Sequence, residues 1–162
     1  MLCWYFGLPE SVSCKLSTGN RKDQKYDVED TAFVDFSYSH PEEKDKKILG
    51  KLVVSRVYPD KHESLTAYGS DGSASVMRGR VVRRDLQGND IEELKRYGSW
   101  PSALIEQLEI FAEHIKNKSH QGSVSNTYLE HIALIEAAYK SASESRAVNP
   151  RDLLEELEKA NS

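Results

Sequence analysis

Much of what can be read from this chain comes from what it lacks. Cysteine appears only twice, as Cys3 and Cys14, at no metal-ligand spacing. That argues against a disulfide framework and for buried thiols in a reducing compartment. No G-x-G-x-x-G turn is present, so no loop brings backbone amides onto a pyrophosphate. No G-x-S-x-G elbow makes a nucleophile of a serine. The longest apolar run falls far short of a membrane span. Residues 1–6 are apolar but carry neither the basic flank nor the small-residue cleavage site of a secretory signal. Positive charge is not in excess: 22 Lys and Arg against 26 Asp and Glu leave a net charge of −4. Such a chain offers no field to nucleic acid or to an anionic membrane, and a cytoplasmic location is expected.

What is present fits one domain, since 162 residues can bury a core without covalent staples. Residues 1–6 are apolar on every side and stop at Gly7-Leu8-Pro9, the pattern of a buried helix end. That helix starts uncapped at the first residue, so an upstream portion is expected to be missing from the chain. Strands come next. Val12, Cys14 and Leu16 alternate with Ser11, Ser13 and Lys15, and Ala32, Val34, Phe36 and Tyr38 repeat the pattern. A period of two marks half-buried strands. The charged stretch 41–47 reads as a solvated hairpin loop. Residues 48–58 read as a third strand with Leu52, Val54, Arg56 and Tyr58 on one face. Gly69-Ser70-Asp71-Gly72 has tight-turn composition between strands at 65–68 and 73–77, and strands at 81–86 and 91–97 complete the series.

Beyond residue 99 the period changes. Leu104, Leu108, Phe111 and Ile115 form one stripe of a helix launched near 99–102. A second helix opens at the capping box Thr127-Tyr128-Leu129-Glu130. Its stripe is Tyr128, Ile132, Ile135 and Tyr139, with small Ala137, Ala138 and Ala142 permitting close contact. Asn149-Pro150 starts a short acidic helix bearing Leu153, Leu154 and Leu157. Strands joined by short turns, then helices, define an α+β fold. The expected form is a mostly antiparallel, twisted open sheet with two main helices packed on one face and a short C-terminal helix.

Two residues stand out as substrate-binding candidates, Arg56 and Tyr58. A guanidinium and a phenol on the apolar face of a strand can hydrogen-bond a polyol or a carboxylate. The competing reading puts both at the sheet margin, with Arg56 snorkelling or salt-bridged. His40, His62, His114, His120 and His131 include no i, i+4 helical pair with a third ligand, so they read as surface residues rather than zinc ligands. Arg78, Arg80, Arg83 and Arg84 read as the solvated edge of a hairpin rather than a phosphate site. No catalytic residue, cofactor contact or metal ligand is assigned.

Several segments in order resemble the C-terminal part of the Gfo/Idh/MocA family of NAD(P)-dependent oxidoreductases. They are Phe111-Ala112-Glu113-His114-Ile115-Lys116-Asn117, Ala137-Ala138-Tyr139-Lys140-Ser141-Ala142 and Arg146-Ala147-Val148. Tyr68-Gly69-Ser70-Asp71-Gly72-Ser73 is similar to that family's G-T-x-G-S hairpin, Asp27-Val28-Glu29-Asp30-Thr31-Ala32 to its acidic lead into a strand, and Ser55-Arg56-Val57-Tyr58 to the strand before the hairpin. The family's nucleotide-binding turn, its Glu-Lys-Pro segment and its Asp-x-Gly-x-His signature do not occur here. The resemblance implies an N-terminally incomplete sheet domain over residues 1–148, with 149–162 as an appended helix. It also implies a portion that shapes a substrate pocket for a sugar, cyclitol or related secondary alcohol and is inactive alone. No cofactor is expected on this chain by itself, whereas NAD or NADP is implied for the intact enzyme. The partners implied are a second copy, packed through the open sheet face, or a separate Rossmann-domain chain. The alternatives are a non-catalytic scaffold module that oligomerises through its sheet, or an unrelated enzyme on a similar sheet.

Overall fold

The structure, a computed structural model, describes residues 2–19, 28–43, 45–59, 62–77, 79–95, 100–118 and 125–160. In chain order the elements are α1 (Leu2–Phe6), β1 (Ser11–Ser17), β2 (Thr31–Ser39), β3 (Lys47–Ser55), β4 (Ser64–Gly69), β5 (Gly72–Met77), β6 (Arg80–Arg84) and β7 (Asp90–Lys95). The helices α2 (Trp100–Lys116), α3 (Ser125–Glu144) and α4 (Pro150–Ala160) follow. The α+β class and the antiparallel pairing are as expected. The strands nevertheless form two hydrogen-bonded sheets rather than one, β1-β2-β3 and β4-β5-β6-β7. They belong to two compact units, Met1–Tyr58 with Gln121–Ser162, and Pro59–His120.

In the first unit, Val12 pairs with Phe36 and Cys14 with Val34. Directly opposed residues share a face, and Val12, Cys14, Val34, Phe36 and Tyr38 make that face the core. Helix α3 packs on β1, presenting Ala133, Ala137 and Ser141, one per turn and all buried. The stripe expected from the sequence, Tyr128, Ile132, Ile135 and Tyr139, is exposed instead. The reason is steric: a helix seated closely on a sheet needs small side chains at the contact, and larger ones would hold it off. The helix also begins at Ser125, ahead of the Thr127 capping box, whose side chain lies outside the described residues.

Polar ties lock the same contact. Cys14 N–H donates to Ser141 Oγ at 3.0 Å. Val12 and Val148 exchange backbone hydrogen bonds of 2.8 and 2.9 Å. Together they cover the outer edge of β1, which would otherwise offer unpaired backbone groups to another chain. α1 ends as its sequence predicts: Gly7 adopts a φ of 68° and its N–H reaches Cys3 O at 2.9 Å. Its burial is one-sided, with Cys3 buried and Tyr5 exposed; the ring of Phe6 rests 5.9 Å from that of Tyr38. Asn149 Oδ1 accepts the N–H of Arg151 at 3.0 Å, capping α4, which packs on α3. Leu153 and Leu154 are half-buried there, and the Leu157 side chain lies outside the described residues.

The second unit is an antiparallel meander. Ser70 and Asp71 form the two-residue turn between β4 and β5, with Gly69 opposite Gly72. Gly72 has a φ of 140°, and a Cβ there would lie 1.9 Å from the carbonyl oxygen of Arg84. The Arg80, Arg83 and Arg84 cluster is largely solvated but does not lie on a sheet edge. β6 is an interior strand, and ion pairs reach across to β7: Arg80 Nε–Glu93 Oε1 at 2.8 Å, Arg84 Nε–Asp90 Oδ1 at 2.7 Å and Arg83 Nη1–Glu92 Oε2 at 3.4 Å. Arg78 lies outside the described residues. Leu65, Val76, Val81 and Leu94 stand in one cross-strand row, on the face opposite the buried Val82. In this unit α2 leaves Leu104, Leu108, Phe111 and Ile115 exposed, so of the two main helices α3 alone covers a described sheet face within its unit. No helix among the described residues is long and apolar enough to cross a membrane.

Candidate functional site

The polar concentration of the first unit lies where its strands end. Asp30 is the hub. Its N–H donates to Ser17 O at 3.0 Å and its carbonyl accepts the N–H of Arg56 at 2.8 Å. One residue therefore ties the exit of β1, the entry of β2 and the exit of β3. The Asp30 carboxylate accepts from Thr31 Oγ1 at 3.0 Å, and Thr31 Oγ1 lies 2.9 Å from Ser55 Oγ. Asp30 and Thr31 are both buried, and burial of a carboxylate is tolerable only with such partners.

Glu29 extends this cluster to α3 by accepting a hydrogen bond from the Tyr139 hydroxyl. That bond and then a backbone hydrogen bond hold the Glu29 carboxyl below its ordinary range; burial opposes them, and the field of Arg56 adds a lesser lowering. The Tyr139 phenol is raised, chiefly by the same bond. Tyr139 also borders an open groove of about 660 Å³ between β1, α3 and α4, floored by Leu16, Ala142 and Leu153.

Arg56 belongs to this cluster and Tyr58 only follows it. β3 stops at Ser55, and the N–H of Val57 bonds to Ser55 Oγ at 3.3 Å in a local bend. The alternation that put Arg56 and Tyr58 on the Leu52 and Val54 face therefore does not run on to them. Both sit at the sheet margin and are exposed, Tyr58 by 66%. Among the described residues the Arg56 guanidinium makes no ion pair. Sequence reasoning missed Glu29 and Tyr139 as partners. The acidic lead before β2 was the available signal for Glu29, but Tyr139 was hidden inside an apparent apolar stripe.

The remaining candidates separate. His40 Nδ1 accepts the N–H groups of Glu42 and Glu43 at 3.3 and 3.1 Å, ordering the β2–β3 turn. His62 and His114 are exposed, while His131 is half-buried with Nε2 shut away from solvent, which corrects its surface reading. His120 lies outside the described residues. Among the described residues no three His, Cys, Asp or Glu side chains are grouped to hold a metal ion. Cys3 and Cys14 are free and buried. Burial is the main cause that pushes both thiols up, which leaves them poor nucleophiles. The glycine pair at 69 and 72 closes a hairpin, and the space a Cβ would take at Gly72 belongs to the Arg84 carbonyl, not to a phosphate.

Antiparallel sheets, a covering helix and a polar knot at the strand ends define an α+β domain that lacks the nucleotide-binding turn. The chain belongs to the Gfo/Idh/MocA oxidoreductases: the description "oxidoreductase family, C-terminal alpha/beta domain" matches residues 1–149. Comparison with curated proteins gives no match. Among solved structures, an Agrobacterium radiobacter oxidoreductase in complex with NAD+, L-tartaric acid and magnesium is similar, with a TM-score of 0.61 and 20% identity. The similarity covers 94% of this chain and 46% of that one. A putative oxidoreductase from Bacteroides fragilis NCTC 9343 is similar with a TM-score of 0.52 and 23% identity, covering 91% of this chain and 47% of that one. At these identities the likeness is one of fold. The chain spans about half the length of the structures it matches.

Proposed function

We propose that this chain is the substrate-pocket and oligomerisation portion of an NAD(P)-dependent oxidoreductase acting on a sugar, cyclitol or related secondary alcohol, and that it does not catalyse alone. The observation that carries the reading is the family match across residues 1–149 in a sequence without a G-x-G-x-x-G turn. The complex of the Agrobacterium radiobacter oxidoreductase with NAD+ and L-tartaric acid supports a nicotinamide and a hydroxylated substrate for the intact enzyme. Arg56 and Tyr58 are the substrate contacts in this reading, offering donors at the margin of the sheet. The intact reaction is hydride transfer between nicotinamide and a secondary alcohol, the redox chemistry residing in the cofactor.

The oligomer forms through an exposed sheet face. The row Leu65, Val76, Val81 and Leu94 supports this, because its end residue Leu94 is 58% exposed and contiguous apolar rows call for a cover. The same row favours a second reading, a scaffold module that kept the sheet and lost the chemistry. Titration of the purified chain with NAD(H) and NADP(H) tests the first reading. No binding by the chain alone is expected, and micromolar affinity overturns it. Dehydrogenase activity appearing when a separate Rossmann-type chain is added favours the oxidoreductase over the scaffold.

A further inference from the structure

We propose that the free edge of β3 hydrogen-bonds antiparallel with β3 of a second copy of this chain, joining two three-stranded sheets across a two-fold seam. The seam is a strand edge of the first unit, separate from the sheet face invoked above for the oligomer, and it does not depend on the oxidoreductase reading.

The register shows which backbone groups of β3 are spare. Arg56 N–H reaches Asp30 O at 2.8 Å and His40 N–H reaches Lys46 O at 3.1 Å. Both bonds continue the pairing that sets Thr31 opposite Ser55 and Ser39 opposite Lys47. They fix the alternation of an antiparallel ladder. Ile48, Gly50, Leu52 and Val54 turn their N–H and C=O groups towards β2, while Lys47, Leu49, Lys51 and Val53 turn theirs outward. The same alternation, carried across β2, turns the groups of Val12 and Cys14 outward on β1, where Val148 and Ser141 meet them. β3 ends its sheet on the other side with no such partner among the described residues.

The side chains of β3 are those of a strand with two neighbours. Ile48, Leu52 and Val54 stand opposite Tyr38, Val34 and Ala32 on the core face, yet all three are exposed, as are Leu49 and Val53 on the other face. Strands apolar on both faces belong inside sheets, and natural edges are guarded by proline, a bulge or free charge. β3 contains no proline, and its register with β2 is unbroken. Its two lysines are already neutralised, Lys47 by Glu10 and Lys51 by Asp35 at 2.6 Å. That neutrality selects the partner. An acidic segment gains little from cations that are paired, whereas an identical strand meets no net like charge and brings apolar side chains to both faces.

Hydrogen exchange of the full chain at stepped concentrations, with sedimentation velocity on the same samples, tests the seam. The amides of Leu52 and Val54, bonded to β2, are expected to be protected at every concentration. Those of Leu49, Lys51 and Val53 are expected to slow by about tenfold where about nine chains in ten are paired, because only the unpaired fraction exchanges. Val53→Pro removes one outward N–H and leaves the β2 ladder whole, so it is expected to abolish this dependence and lower the dimer fraction. Leu49→Lys, which adds an unpaired charge without touching the backbone, is expected to do the same. Val81→Lys, on the other sheet, is expected to leave the dependence in place. Dimers whose Leu49, Lys51 and Val53 amides exchange fast have their interface elsewhere and overturn the proposal. Protection of those amides that ignores concentration shows an edge covered within one chain and overturns it too, as does a chain that stays monomeric at the highest concentration.

Discussion

Cys14 and Ser141, separated by 127 residues in the chain, meet in one buried hydrogen bond of 3.0 Å between the Cys14 amide and Ser141 Oγ. The bond is the polar member of an otherwise apolar contact between β1 and α3. A strand amide at a sheet edge needs an acceptor, and at this position the helix supplies it with a hydroxyl small enough to let the backbones approach. Removing that acceptor leaves the amide buried and unpaired. Ser141→Ala is expected to destabilise by about 1–3 kcal/mol, read as a lower urea midpoint with an unchanged m-value. A midpoint equal to wild type would show that the amide finds another partner.

The same interface is intolerant of volume. Ala137 is fully buried in the core, so Ala137→Leu is expected to cost about 1–3 kcal/mol by overpacking. Ile135→Leu, on the exposed side of the same helix, serves as the control and leaves the thermal midpoint unchanged.

Gly72 and Gly69 face each other across one turn and should respond unequally. At Gly72 an added Cβ meets the Arg84 carbonyl at 1.9 Å, whereas at Gly69 the nearest atom is 4.0 Å away. Gly72→Ala is expected to cost more than the ~1 kcal/mol typical of a strained backbone dihedral, because a backbone clash adds to it. Gly69→Ala should be close to neutral. Hydrogen exchange of the β5 and β6 amides checks the pair, and equal protection in both variants would contradict the clash.

Acid should weaken the first unit through Glu29 and Glu10. The Glu29 carboxyl is lowered from 4.5, first by the Tyr139 hydrogen bond, and that of Glu10 from the same value, first by Lys47 and then Ser39. A carboxyl depressed in the folded state contributes stability above its unfolded value, and that contribution is lost as pH falls through the folded value. Stability is therefore expected to drop below about pH 4.5. Tyr139→Phe should show a shallower loss over that range in urea melts at stepped pH. An unchanged slope would remove Glu29 from the account.

The apolar row across the four-stranded sheet, with Val76 and Leu94 exposed and Leu65 and Val81 half-buried, predicts association. Val81→Lys puts a charge in the middle of the row and is expected to shift the chain towards monomer in sedimentation velocity, with the far-UV spectrum retained. A wild-type chain that sediments as a monomer at high concentration rules out this face as the interface.

The local pattern of this chain was legible from residues alone wherever the signal was local. Alternation found β1 and β2 with the right buried faces, the glycine and proline after residue 6 found the end of α1, Asn149-Pro150 found the start of α4, and the glycine pair at 69 and 72 found the hairpin. These features depend on backbone sterics and capping within a few residues, which sequence encodes directly. What depended on distant neighbours was not legible. The stripe of Tyr and Ile on α3 looked like the buried face, but Ala133, Ala137 and Ser141 are buried instead, because the distance of closest approach to β1 is set by both elements. The Arg80, Arg83 and Arg84 cluster looked like an edge, because nothing in the sequence states that β7 returns beside β6 with acids in register.

The candidate site divides in the same way. Sequence selected Arg56 and the acidic lead before β2, since residue type and local order carry that signal. Only the tertiary structure joined Asp30 to Arg56 and Glu29 to Tyr139, because strand register and the seating of α3 on β1 bring together residues as far as 110 positions apart. Sequence alone determined the α+β class and the absence of a nucleotide-binding turn. Packing decided which side chains meet, because contact energies depend on distances that no linear pattern contains.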